Sequence, residues 1–152
     1  MPSAGLLAKI GRFKMRILAI DHGTKRMGLA LSDELKIIAQ PLEFVPAEPF
    51  KQFIERLREI LRTKEVELIL VGLPRNMDGS YGPAALKVRE FVAALQEAFA
   101  VPIQTWDERL TTVQANRYLV QANVRRDQRK GKVDKTAAAI LLQSYLDSLA
   151  QS

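Results

Sequence analysis

The chain contains no cysteine and only one histidine, His22, among its 152 residues. Without cysteine there is no disulfide, no thiolate metal site and no sulfur nucleophile. A single histidine excludes a multi-histidine zinc centre and fits a Ser-His-Asp triad poorly. Long apolar runs are also missing. None approaches the roughly 20 residues that a membrane-spanning helix needs, so no membrane partner is expected. The opening stretch MPSAGLLAKIGRFK lacks a compact apolar segment and a cleavage pattern, and does not read as a signal peptide. The expectation is therefore a cytoplasmic protein. Residues 1–14 read as a weakly ordered extension, and 15–152 as a single domain large enough to pack a core without staples.

What the sequence does have is an uneven charge. The net value is +6, from 23 Lys and Arg against 17 Asp and Glu. Residues 1–16 carry +4, residues 17–108 carry −3, residues 109–135 carry +6, and the remainder carries −1. The dense part is RRDQRKGK at 125–132, with Arg125, Arg126, Arg129, Lys130 and Lys132. It reads either as a contact to a phosphate backbone or as a solvated loop.

Periodicity divides the chain into alternating elements. Met15–Asp21, Arg26–Leu31 and Lys36–Phe44 read as three strands of an antiparallel meander, with Pro41 marking an edge or an end. Phe50, Phe53, Ile54, Leu57, Ile60 and Leu61 stripe a helix. Leu68–Val71 is a buried strand, and a polar loop RNMDGSYG follows it. Pro83 suits the first turn of a helix striped by Val88, Phe91, Val92, Leu95 and Phe99. Ile103–Trp106 is a fifth strand. Thr111 and Gln114 form a capping box for a helix to about Gln121, and Asp134 opens a last helix striped by Ala138, Leu141, Leu142, Tyr145 and Leu149. The order predicts an α/β fold, a five-stranded mixed sheet with helices on both faces.

Three acids stand at element ends: Asp21, Glu108 and Asp134. Converging carboxylates repel unless cations lie between them, and oxygen donors without thiols suit Mg²⁺ or Mn²⁺. Such ions bind a phosphodiester and activate water. Each acid also has a plainer use. Asp21 suits a turn, Asp134 suits an N-cap, and Glu108 suits pairing with Arg109 or Arg117. Asp107 competes with Glu108 as the ligand. His22 is a candidate neighbour of the site, and Thr24, Lys25 and Arg26 are candidate phosphate contacts. Tyr81 and Trp106 are candidates to stack on a base, with core packing the better use of Trp106.

Four motifs, MRILAIDHGTKRMGLALSD, GLPRNMDGSYGP, DERLTT and KGKVDKTAAAILLQSYL, resemble in order those of the YqgF/RuvX family, from Met15 to about Leu149. The family groups Holliday junction resolvase and pre-16S rRNA nuclease proteins on an RNase H-like fold. The resemblance implies a single RNase H-like nuclease domain over 15–152 and metal-dependent phosphodiester hydrolysis. Its acidic site would be Asp21, Glu108 and Asp134. It implies branched DNA or the 5′ end of pre-16S rRNA as substrate, and a homodimer where junctions are resolved. Arg75 adds a positive charge beside the implied site, read as a phosphate contact or a solvent-facing loop residue. The fourth strand ends in Gly72-Leu73-Pro74 without an acid, so the middle carboxylate must come from Asp107-Glu108. DHGT also looks like the phosphate loop of actin-like kinases, which need a second such domain. A non-catalytic RNA- or ribosome-binding module is the other alternative, but it would gain nothing from acids facing phosphates.

Overall fold

A computed structural model describes residues 15–109 and 136–151. Among them the chain forms strands β1 (Arg16–Asp21), β2 (Arg26–Ser32), β3 (Ala39–Pro46), β4 (Val66–Leu73) and β5 (Ile103–Asp107). The helices are α1 (Phe50–Thr63), α2 (Pro83–Ala98) and α3 (Ala137–Ala150). The strands make one sheet in the order β3-β2-β1-β4-β5. The first three are antiparallel neighbours, and β4 and β5 run parallel to β1. The mixed sheet read from the sequence is therefore present. The helix placed over 111–121, the basic stretch 125–132, Asp134 and residues 1–14 lie outside the described residues.

The pleat of β1 divides the core. Leu18 and Ile20 face α1 and α2, joining Phe53, Leu57, Val88, Phe91 and Leu95. Ile17 and Ala19 face α3, joining Ala30, Leu70, Ala138, Leu142 and Leu146. The second face is built from smaller side chains, which lets α3 lie close to the sheet. Trp106 belongs to that face. Its indole N–H donates to the Ser144 hydroxyl at 3.2 Å, and its ring meets Tyr145 edge-on at 5.1 Å. It is a packing residue rather than a base-stacking one.

The third strand runs on to Pro46 and the fourth spans Val66–Leu73, both longer than the sequence reading, and two starts differ for a local reason. The third strand begins at Ala39, not Lys36, because Asp33 takes residues 33–38 into a turn. Its carboxylate accepts from the Ile37 and Ile38 amides at 2.7 and 2.9 Å, and Lys36 adopts φ 60°. Pro41 does sit on an edge strand. The register there slips from Leu29–Glu43 to Ala30–Pro41, a bulge that accommodates its missing donor. The last helix begins after Thr136, whose hydroxyl accepts from the Ala139 amide at 3.2 Å. Thr136, not Asp134, is the N-cap.

The direction of α3 matters for the site. Gln143 accepts from the Ala39 amide and donates to the Ile37 carbonyl, both at 2.9 Å, at the sheet end remote from Asp21. Leu149, near the far end of α3, lines a cleft with Met15 and Ile17 at the start of β1, so the start of α3 lies toward the Asp21 end. Because Thr136 satisfies one of the orphan amides there, Thr136→Ala is expected to cost about 1 kcal/mol of stability while Thr136→Ser costs little. Chemical denaturation of the two variants checks this.

Candidate active site

Asp21 is the last residue of β1, and glycine flanks it on both sides. Gly28 is its partner on β2. On β4 the register runs Ile20–Val71, which puts Gly72 beside Asp21. Gly72 in turn pairs with Trp106 on β5. All of these share the face that α3 covers. With no side chain at Gly72, the Glu108 side chain lies over it. A Cβ built on Gly72 would come 2.6 Å from Glu108 Oε1 and 3.0 Å from its Cγ. The glycine at the end of β4 is thus the seat of the acid that follows β5.

Asp21 and Glu108 are half-buried and line one open cleft of about 360 Å³, with His22, Thr24, Pro74, Pro83 and Lys87 among its walls. Burial pushes the Asp21 carboxyl above its ordinary value, against the lowering effect of His22. Burial also raises Glu108, and the charges of Asp21 and Asp107 raise it further. The fold thus presses two like charges together, an arrangement typical of functional sites.

Asp107 is different. Its carboxylate takes the Arg109 amide at 2.9 Å and the Arg109 guanidinium at 2.9 Å, and Arg75 stands 3.5 Å away. The Arg109 hydrogen bond holds its carboxyl below the ordinary range. Its charge is spent on arginines, which separates two adjacent acids that composition alone leaves equivalent.

The other expected residues divide similarly. Thr24 and Lys25 are exposed in the β1–β2 turn and Arg26 is exposed at the start of β2, and of the three only Thr24 lines the cleft. Gly23 makes that turn possible, since a Cβ there would meet the Arg26 carbonyl oxygen at 2.2 Å. The Arg26 guanidinium lies 4.3 Å from the Phe44 ring centroid. Arg75 turns back on its own loop and on Asp107. The His22 ring packs on Phe91 at 4.9 Å, and burial lowers its pKa. Lys87, exposed on α2 at the cleft wall, was not anticipated. Only its place one turn into a helix that starts beside the site could have marked it.

Oxygen donors at Asp21 and Glu108 suit a hard divalent cation. No group of three acids or histidines able to hold a metal occurs among the described residues. The third candidate, Asp134, is two positions ahead of Thr136 in the sequence.

The sheet order and the helices on its two faces define an RNase H-like fold. Solved structures of Holliday junction resolvases share it. RuvC of T. thermophilus in complex with a Holliday junction substrate superposes with a TM-score of 0.57 at 16% identity, covering 91% of this chain and 97% of that one. The yeast mitochondrial Holliday junction resolvase gives 0.53 at 13%, covering 91% and 80%. The profile of the RuvX family, described as Holliday junction resolvase, matches residues 15–148, and the chain belongs to that family of nucleases. It is 46% identical to a protein of Halothermothrix orenii over 88% of this chain and 95% of the other. It is 48% identical to one of Thermoanaerobacter pseudethanolicus over 88% and 97%. Both relatives carry the name "Putative pre-16S rRNA nuclease".

A carbon-detected titration of the metal-free protein tests the acid pair. Glu108 is expected to titrate above an ordinary glutamate. Asp21→Asn removes a negative neighbour and is expected to bring it down. In Gly72→Ala the new methyl displaces the Glu108 side chain and meets no backbone atom this closely. The fold should therefore survive while the Glu108 resonance shifts.

Proposed function

We propose that the protein is a divalent-metal-dependent endonuclease that hydrolyses phosphodiester bonds in structured nucleic acid. The observation that carries this reading is the Asp21–Glu108 pair facing each other across Gly72 in an open cleft. Mg²⁺ or Mn²⁺ would be held by Asp21 and Glu108, with Asp134 as the third donor, and when bound it supplies charge neutralisation and an acidified water. The protein's own part is to position. Gly72 seats Glu108, and the β1–β2 turn fixes Asp21 against Gly28. Thr24 and Lys87 stand at the cleft where a phosphate enters, with Lys25 on the adjoining turn and Arg26 at the start of β2. The basic residues of 109–135 would hold the flanking backbone.

The names of the relatives at 44–48% identity favour the 5′ end of pre-16S rRNA as substrate. The family description and the shared resolvase fold support branched DNA as the second candidate. Symmetric cutting of a junction would require two copies of the chain.

The deciding experiment offers labelled pre-16S rRNA leader and a four-way DNA junction to the protein with Mg²⁺, Mn²⁺ or chelator. Cleavage should need the metal. Asp21→Asn, Glu108→Gln and Asp134→Asn should each reduce it by at least the ~10–100-fold that loss of a residue supporting a metal site costs. Asp107→Asn should keep its metal response. Cleavage that survives chelation or any of the three first substitutions rejects the mechanism. Binding tests the basic stretch. Replacing Arg125, Arg126, Arg129 and Lys130 by alanine should weaken affinity and flatten its salt dependence, by about 0.9 log units for each duplex DNA phosphate no longer neutralised. An unchanged slope removes this stretch from the interface.

A further inference from the structure

Asp21 has a glycine on each side, and a neighbour's side chain fills the space over each. On the β4 side Glu108 lies over Gly72. On the β2 side Gly28 pairs with Asp21 and, along its other edge, with Phe44 of β3. Residues paired across neighbouring strands share a face, so Asp21, Gly28 and Phe44 form one row. A Cβ built on Gly28 would come 3.2 Å from Phe44 Cε1 and 3.7 Å from Asp21 Cβ. The space of a missing methyl group thus lies between the ring edge and the acid. Glycine inside a strand weakens it and often marks a close approach. Here the Phe44 ring makes that approach. β3 is an edge of the sheet, and Phe44 remains 49% exposed while the next residue, Val45, is buried in the core. The Arg26 guanidinium, two residues before Gly28 on β2, lies 4.3 Å from the ring centroid.

A single exposed ring needs no explanation by itself. This one is held beside an acid of the cleft by strand register, with a cation over it. Stacking on a base needs a fixed ring with exposed surface, and a neighbouring arginine adds a cation–π contribution. A phosphate gains little from such a ring, whereas a base gains contact over its whole face. We propose that Phe44, together with Arg26, is a stacking platform for the nucleobase next to the phosphate held at Asp21 and Glu108. This rests on the nuclease reading above and names how the same site holds its substrate. Every base has a π-face, so the platform accepts any base that is unpaired there, in RNA or in DNA.

The test is a binding measurement and does not depend on cleavage. Pre-16S rRNA leader and a four-way DNA junction are each made with a single abasic nucleotide, moved one position at a time. The parent protein is the full chain with Asp21→Asn, which leaves the substrate whole. Adding Phe44→Ala should weaken binding of the intact substrate by about fivefold or more. At one position the abasic nucleotide should weaken binding to the parent by a similar factor. In Phe44→Ala that same nucleotide should cost nothing further, because both changes remove one contact. Phe44→Leu keeps an apolar side chain over Gly28 but no ring, and should behave like Phe44→Ala. Phe44→Tyr keeps the ring and should bind like the parent. Coupling on the RNA alone or on the DNA alone supports the platform and identifies the nucleic acid it serves. Losses that add at every position on both substrates, or a Phe44→Leu variant that binds like the parent, overturn it. If the coupling appears while wild-type cleavage resists chelation, the metal mechanism fails and the platform stands. If the coupling is absent while cleavage needs the metal, the platform falls and the nuclease reading stands.

Discussion

Glu108 lies where the side chain of Gly72 would be, and much of the acidic end of the molecule follows from that substitution of one residue's space by another's atoms. A carboxylate is brought across a strand to face the Asp21 carboxylate in a half-buried place, where burial raises both. Two like charges held this way are unfavourable by themselves. The sheet tolerates them because the ladder to β2 pairs Asp21 with Gly28 and the ladder to β4 runs to its neighbour Ile20, and because the two flanking glycines place no side chain of their own beside it. The rigidity comes from strands, the freedom from glycine.

Packing on the α3 face obeys the same constraint. Ala19, Ala30, Ala138 and Ala139 keep the helix close to the sheet beside Ile17 and Leu70, while Leu18, Ile20, Leu29 and Ile69 lie on the other face. Asp134 stands two residues before Thr136 in the sequence, and Thr136 takes the capping work that Asp134 would otherwise do.

The elements were legible where one physical signal dominates. The stripes of α1 and α2 are amphipathic, and β1 is an apolar run ended by an acid. Legibility failed where a side chain bonds the backbone locally. Asp33 draws Ile37 and Ile38 into a turn, which no alternation of polar and apolar residues reports. That Asp21 and an acid after β5 come to one cleft could be read in advance. The choice between Asp107 and Glu108 could not, because adjacent residues differ only by which face the chain presents and which arginines stand near. Gly72 was legible as a missing acid but not as a seat, since a seat is defined by the atom that fills it.

Acids that serve structure recur with their cation: Asp107 with Arg109 and Arg75, Glu43 with Arg56, Glu67 with Lys36. In each the negative charge is matched by a side chain of the same fold, and for Asp107 and Glu43 the pairing lowers the carboxyl pKa. Asp21 and Glu108 move the other way, and the charge that raises Glu108 next after burial is another acid's. A body with a net −3 over residues 17–108 thus satisfies some acids internally and concentrates raised ones at a cleft. On the nuclease reading proposed above, a hard cation held by the two acids would supply positive charge there, and a polyanion held by the basic ends of the chain would lie beyond it.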